Sequence, residues 1–111
     1  MIVNLTPHAI CLNDGRIFPP SGVVARVTKG FVPGPMIEGV PSWREVVTGM
    51  ENLPTDKDNV YIVSAMVLEA ISATHDADAY WNVVAPSTGH PSTIRNEAGH
   101  IVSVAGFSGR R

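Results

Sequence analysis

The sequence predicts an α+β domain: a mainly antiparallel sheet of six to eight short strands, open or curled towards a barrel, with one helix over about residues 64–73. Three observations carry that expectation. The stretch 59–73 changes period midway. Val60-Tyr61-Ile62-Val63 is β-branched and aromatic without a charge, which suits a strand covered on both faces. Met66, Val67, Ala70 and Ile71 then recur at helical spacing, and Leu68 widens the apolar face. Turn signals at Asn13-Asp14-Gly15 and Glu97-Ala98-Gly99 mark two hairpins. The remaining apolar runs are short and separated by proline and glycine.

Element by element, Pro7 cannot donate to a ladder and splits residues 1–12 into a strand, a bend and a second strand. Asn13 and Gly15 tolerate the positive φ of a tight turn, so Arg16-Ile17-Phe18 returns beside residues 8–12. The rigid loop Pro19-Pro20-Ser21-Gly22 leads to a strand over 23–28. Residues 30–42 hold Gly30, Pro33, Gly34, Pro35, Gly39 and Pro41 and predict no long regular element. A short strand at 43–48 and a loop over 49–59 lead into the central strand. Ser64 stands where strand becomes helix, with a hydroxyl suited to capping the first free N–H groups. Beyond the helix come a polar loop at 74–78, a strand at 79–85, the loop Pro86-Ser87-Thr88-Gly89, a hairpin with arms 92–96 and 100–107, and a frayed tail from Gly109.

Hydrophobic residues make up 44% of the chain and charged residues 16%, a globular rather than disordered balance. Its 111 residues fit one domain, 1–111. With a net charge of −2 and no run of Lys or Arg, binding of a long nucleic acid through its phosphates is not expected. A small ligand with two or three phosphates needs only one or two arginines. Cys11 is the single cysteine, which excludes an internal disulfide and points to a reducing compartment. No basic segment precedes an apolar one in the manner of a signal peptide, and no apolar run reaches the roughly 18 residues of a membrane span. The cytoplasm is the expected location.

No strong catalytic motif stands in the chain. His8, His75, His90 and His100 lie far apart without His-x-His or Cys-x-x-Cys spacing, so neither a metal nor another cofactor is expected. His75 with Asp76 and Asp78 reads as a solvated loop more readily than as a ligand set. Cys11 alternates within a strand, where a small buried thiol is ordinary. Ser64 lacks the Gly-x-Ser-x-Gly setting of a nucleophile elbow.

Binding chemistry is better represented. Twice a Pro-Ser-Gly type loop precedes a strand bearing arginine: Ser21 in the first leads to Arg26, and Thr88 in the second leads to Arg95. Hydroxyls and free N–H groups in such loops receive phosphate oxygens, and guanidinium offers a bidentate fork. The same residues are also common turn chemistry. Around the Pro7 bend, Asn4, Thr6 and His8 supply an amide, a hydroxyl and an imidazole, although an Asx or Thr turn accounts for Asn4 as well. The helix start at Ser64 adds backbone donors and the positive end of the helix dipole. An ordinary capped core helix has the same pattern.

Several of these segments carry a resemblance. Asn-Leu-Thr-Pro-His-Ala-Ile at 4–10, Pro-Pro-Ser-Gly-x-x-Ala-Arg-Val at 19–27, Tyr-Ile-Val-Ser at 61–64, Ala-Pro-x-Thr-Gly at 85–89 and Ile-Arg-Asn-x-x-Gly-x-Ile-Val-x-Val at 94–104 together resemble a family of small proteins found in phages, prophages and actinobacterial genomes. Residues 30–58 depart most from that pattern. The resemblance implies a phage origin and, by analogy with small phage proteins that lack catalytic motifs, an anti-defence role in the host cytoplasm. The expectation is a homo-oligomeric sponge that sequesters a phosphorylated nucleotide immune signal of cyclic or ADP-ribose type. Arg26 and Arg95 would meet phosphates, the Ser64 helix start would add donors, and Tyr80 or Trp81 would stack on a base. Two alternatives stand beside it. One is a nucleotide-cleaving enzyme with His8 as general acid or base, assisted by Asp76 or Asp78. The other is a protein-interaction module that presents Trp43 from the Pro/Gly-rich middle.

Overall fold

The computed structural model describes residues 1–74 and 77–109. In chain order the strands are β1 (Ile2–Asn4), β2 (Ile10–Cys11), β3 (Ile17–Phe18), β4 (Arg26–Pro33), β5 (Trp43–Glu51), β6 (Val60–Ile62), β7 (Val83–Pro86), β8 (Ile94–Arg95), β9 (Ile101–Ser103) and β10 (Phe107–Gly109). Helix α1 (Ala65–Thr74) and a 3₁₀ turn (Ala77–Tyr80) lie between β6 and β7. No helix among the described residues is long and apolar enough to cross a membrane.

The main sheet is open, with strand order β1-β6-β7-β10, and it does not close into a barrel. The other pairings are antiparallel ribbons: β2 with β3, β4 with β5, and β8 with β9. The fold is therefore α+β with one helix and mostly antiparallel small sheets. Its centre is different in kind. β6 runs parallel to β1 and to β7, and only β10 runs antiparallel to its neighbour. β6, α1 and β7 thus form a βαβ crossover, which parallel strands require because a short turn cannot return the chain to the same end.

The local signals at the centre hold. The amide of Val67 donates to Ser64 Oγ at 3.3 Å, and the amide of Leu68 donates to the Ser64 carbonyl at 3.0 Å, so Ser64 caps α1. Tyr61, Ile62 and Val63 are buried, as the uncharged run requires. Val67, Ala70 and Ile71 face the core beside Leu5, Ala25, Val63 and Val83. Met66, placed on the same face by its spacing, is instead 54% exposed, because it falls at the margin of the helical arc that Val67, Ala70 and Ile71 bury.

Elsewhere the boundaries move. β4 begins at Arg26 rather than at residue 23 and continues through Gly30 to Pro33, and β5 spans nine residues. The prolines and glycines expected to forbid a regular element here serve a long hairpin instead. Pro33 closes β4, and the amide of Gly34 donates to the Ser42 carbonyl at 2.9 Å. A Cβ at Gly34 would meet Ser42 Oγ at 2.8 Å, so a side chain there would force Ser42 to move. Glu38 (φ 49°) and Gly39 (φ 80°) form a tight turn closed by two hydrogen bonds between Ile37 and Val40, each 2.9 Å. Ten strands form among the described residues where six to eight were expected, partly because the predicted arm 100–107 divides. Val104 bridges Leu12, the chain turns at Gly106, and β10 joins β7. Gly109 therefore belongs to a strand rather than to a tail.

The radius of gyration is 16.2 Å, with extents of 51 × 39 × 26 Å. A compact domain of this length has a radius near 13 Å. The excess lies in the far half of the β4–β5 ribbon, where every residue from 31 to 41 is exposed.

The loop before β6 is held by two side chains. Buried Asn82 donates from Nδ2 to the carbonyls of Asp56 (2.9 Å) and Asn59 (2.8 Å), while its Oδ1 has no partner among the described residues. The Tyr61 hydroxyl donates to Asp56 Oδ1 at 2.5 Å. That bond holds the Asp56 carboxyl below its ordinary 3.8 and raises the Tyr61 hydroxyl above its ordinary 10.0. The bond needs an ionised Asp56 and a protonated Tyr61. Its contribution is present in the neutral range, is lost as pH falls through the depressed Asp56 pKa, and is lost again as pH rises through the raised Tyr61 pKa.

Two outcomes follow for stability. Ile71→Ala, at a fully buried position, should cost about 2–5 kcal/mol in urea unfolding, whereas Met66→Ala on the exposed side of α1 should stay within about 0.5 kcal/mol. In the second experiment, the melting-temperature difference between the parent and Tyr61→Phe should hold steady from about pH 5 to 9. It should shrink below about pH 4 and above about pH 10.

Candidate functional site

Because β1, β6 and β7 run parallel, their carboxyl ends emerge on one edge of the sheet. The chain leaves those ends through the bend at 4–8, the Ser64 cap of α1 and the loop 86–90 respectively. The crevice outside the carboxyl ends of parallel strands is where open α/β sheets bind ligands. A groove of about 380 Å³ lies at this edge, between the first two turns of α1 (Ala65, Leu68, Glu69) and the loop 86–90, with Ser108 of β10 on the same wall. A second groove, of about 300 Å³, lies across the same loop and is bounded by His8, Ile10, Cys11 and β9. Pro86 and Thr88 line both, so the loop is their common wall.

Backbone and side-chain bonds hold this loop in one shape. Its Ser87 amide donates to the Gly106 carbonyl at 3.0 Å, and its His90 amide donates to the Ser87 carbonyl at 3.2 Å. Thr93 Oγ1 reaches the carbonyls of Ser87 and Thr88 at 3.1 and 3.2 Å. The hydroxyls of Ser87 and Ser108 are 2.6 Å apart. His90 Nδ1 accepts the Ser92 amide at 3.0 Å, which leaves the proton of the neutral ring on Nε2. The groove beside α1 therefore gathers three hydroxyl residues, an imidazole N–H and the start of a helix, with one carboxylate, Glu69, a turn further along.

The residues singled out from the sequence divide into groups. Asn4 is buried and fully engaged: Nδ2 donates to the carbonyls of His8 (2.8 Å) and Phe18 (2.9 Å), and Oδ1 accepts from the amide and hydroxyl of Thr6 at 2.9 and 2.7 Å. Thr6 is buried in the same network. These two shape the bend and present nothing to a ligand. His8 is exposed on the second groove. Ser21 is exposed and closes a local turn with Val23 at 3.3 Å. Ser64 caps α1, and Thr88 lines both grooves.

Arg26 and Arg95 lie on different hairpins. Arg26 opens β4 opposite Glu51. Arg95 braces its own hairpin, donating to the Gly99 carbonyl at 3.0 Å and to the Thr88 carbonyl at 3.4 Å. Neither arginine lines either groove. Tyr80 packs against the core with Lys57 Nζ 5.4 Å from its ring centroid, and neither Tyr80 nor Trp81 lines the groove beside α1. The expectations placed on His75, Asp76 and Asp78 lie outside the described residues and side chains. Glu69, Ser87, His90 and Ser108 line the groove without having been singled out. Ser87 and His90 flank the Thr88 signal. Ser108 could be found only by knowing that β10 pairs with β7.

Comparison with family models, with curated proteins and with solved structures finds no match for this chain.

The Asn4 network yields a direct test. Asn4→Ala strands buried donors and acceptors on Thr6, His8 and Phe18 and should cost about 1–3 kcal/mol by denaturant unfolding. Ser21→Ala, which removes an exposed turn contact, should stay within about 0.5 kcal/mol.

Proposed function

We propose that the protein binds a small phosphorylated nucleotide in the groove between α1 and the loop 86–90 and holds it unchanged, as a sequestering protein of the cytoplasm. One observation carries this reading: a groove of about 380 Å³ coincides with the carboxyl ends of the parallel strands and with the amino end of α1. That volume falls in the range of small-ligand sites. The amides of Ala65 and Met66, at the first two helical positions, have no intrahelical partner and suit a phosphate. Ser87, Thr88 and the Nε2 proton of His90 are further donors on the same walls. Glu69, one turn on, suits a ribose hydroxyl or a base amino group rather than a phosphate. Arg95 acts through the loop it braces, and Arg26 has no part in the site.

The test is a thermal-shift screen with cyclic and ADP-ribose-type nucleotides. A bound nucleotide at about 100 times its Kd should stabilise the fold by about 2.7 kcal/mol. His90→Ala and Ser87→Ala should each weaken binding about tenfold or more, while Arg26→Ala should leave it unchanged. Heat denaturation of the loaded protein should release the nucleotide intact. A screen with no shift at millimolar nucleotide would refute the proposal. Release of a new product would replace it with the enzymatic reading.

A further inference from the structure

The β4–β5 ribbon carries a surface that the groove does not use. Residues directly opposite across an antiparallel pair share a face. Phe31 lies opposite Glu45 and Pro33 opposite Trp43, so Phe31 and Trp43 are diagonal neighbours on one face. Between them is an open cleft of about 330 Å³. Phe31 is 65% exposed and Trp43 62%. The turn beyond them adds Met36, Ile37 and Val40, each about 60% exposed, and Val32 is exposed on the opposite face.

We propose that this ribbon is a dimerisation arm, on which two copies of the chain pair antiparallel, the apolar tip of each covering the cleft between Phe31 and Trp43 of the other. Area supports a second copy as the occupant. Phe31, Trp43, Met36, Ile37 and Val40 expose on the order of 600 Å² of surface, the upper end of what a monomer leaves open. Two arms together then bury roughly 1,200 Å², the lower end of a specific interface. A two-stranded ribbon is marginal by itself, and residues 31–41 have no cover from their own chain. The arm is also self-complementary, as a two-fold interface requires. It holds both the cleft and the apolar tip that fits one.

Shape sets the direction, because the charges of the arm balance. Across residues 26–51, Arg26, Lys29 and Arg44 balance Glu38, Glu45 and Glu51. Lys29 and Glu45 pair with each other at 3.5 Å, whereas Glu38 at the tip and Arg44, opposite Val32 on the face away from the cleft, have no ionic partner among the described residues. An antiparallel pairing sets the tip of each arm on the cleft of the other, while a parallel one sets tip on tip and Glu38 against Glu38. A lipid surface is a poorer occupant. The tip carries a carboxylate, and the arm has no basic excess for anionic headgroups.

The experiment is sedimentation equilibrium of the full chain from about 1 to about 500 µM, the range suited to an interface of this size. The expected result is a mass that rises to twice that of one chain. Phe31→Ser and Trp43→Ser should each weaken dimerisation roughly 30-fold or more, as central aromatic anchors do, with the far-UV circular dichroism of the monomer unchanged. In a Trp81→Phe background, Trp43 emission should shift to shorter wavelength as the dimer forms. A chain that stays monomeric throughout overturns the proposal. So does a dimer indifferent to both aromatic substitutions, and so does a monomer that is captured by anionic phosphatidylserine vesicles instead.

Discussion

A strand buried on both faces must find partners for its backbone on both edges, and that constraint organises this molecule. The amide of Val60 donates to the Met1 carbonyl, that of Tyr61 to Asn82, and that of Val63 to Val84, while the Ile62 carbonyl accepts from Leu5. Each bond ties β6 to a segment distant in sequence. With Ile62 and Val63 fully buried, no water can substitute for those partners. Strand β1 on one side, β7 on the other and α1 over the face are the answers to that demand. The shared carboxyl edge, and the groove at it, follow from the parallel arrangement.

What could be read beforehand was what is local. Ser64 as a cap, the turn at Asn13-Asp14-Gly15 and the hairpin around Glu97-Ala98-Gly99 depend on a few consecutive residues, and all three stand in the structure. The ribbon from Arg26 to Glu51 was not legible. Pro33 and Gly34 look like breakers until Ser42, eight residues on from Gly34, is seen to lie against them. Parallel pairing of β1 with β6 leaves no trace in either segment, since both read simply as apolar strands. The loop 86–90 could be singled out by its composition. Its companions on the groove could not, because Glu69 lies on a helix read as core and Ser108 just past the predicted hairpin arm, in no expected element.

The bend at residues 4–8 shows why residue type alone misleads about sites. An amide, a hydroxyl and an imidazole around a proline resemble a binding constellation. Asn4 has instead spent its donors and acceptors on the chain itself, joining the end of β1 to Phe18 of the first hairpin. The outcome turns on burial. Asn4 is 2% exposed, whereas His8, four residues on, is exposed and free to face the second groove. A fully satisfied polar group makes a rigid corner, and rigid corners are useful beneath a site rather than in it.

The order of the main sheet also governs the order in which the chain can assemble as it is made. The ribbons β2–β3, β4–β5 and β8–β9 each pair segments that are close in sequence, so each can close soon after its own residues leave the ribosome. The sheet cannot. β1 must wait, with one edge open, until β6 follows it by more than fifty residues, and β6 in turn lacks its second neighbour until β7 is complete. The earliest-made strand is thus the one longest without a partner. During that interval the nascent chain carries an unpaired apolar edge at Ile2 and Val3 beside a ribbon with an exposed apolar tip. Crowded synthesis therefore favours contacts between neighbouring nascent chains at these two places before any chain has a finished core.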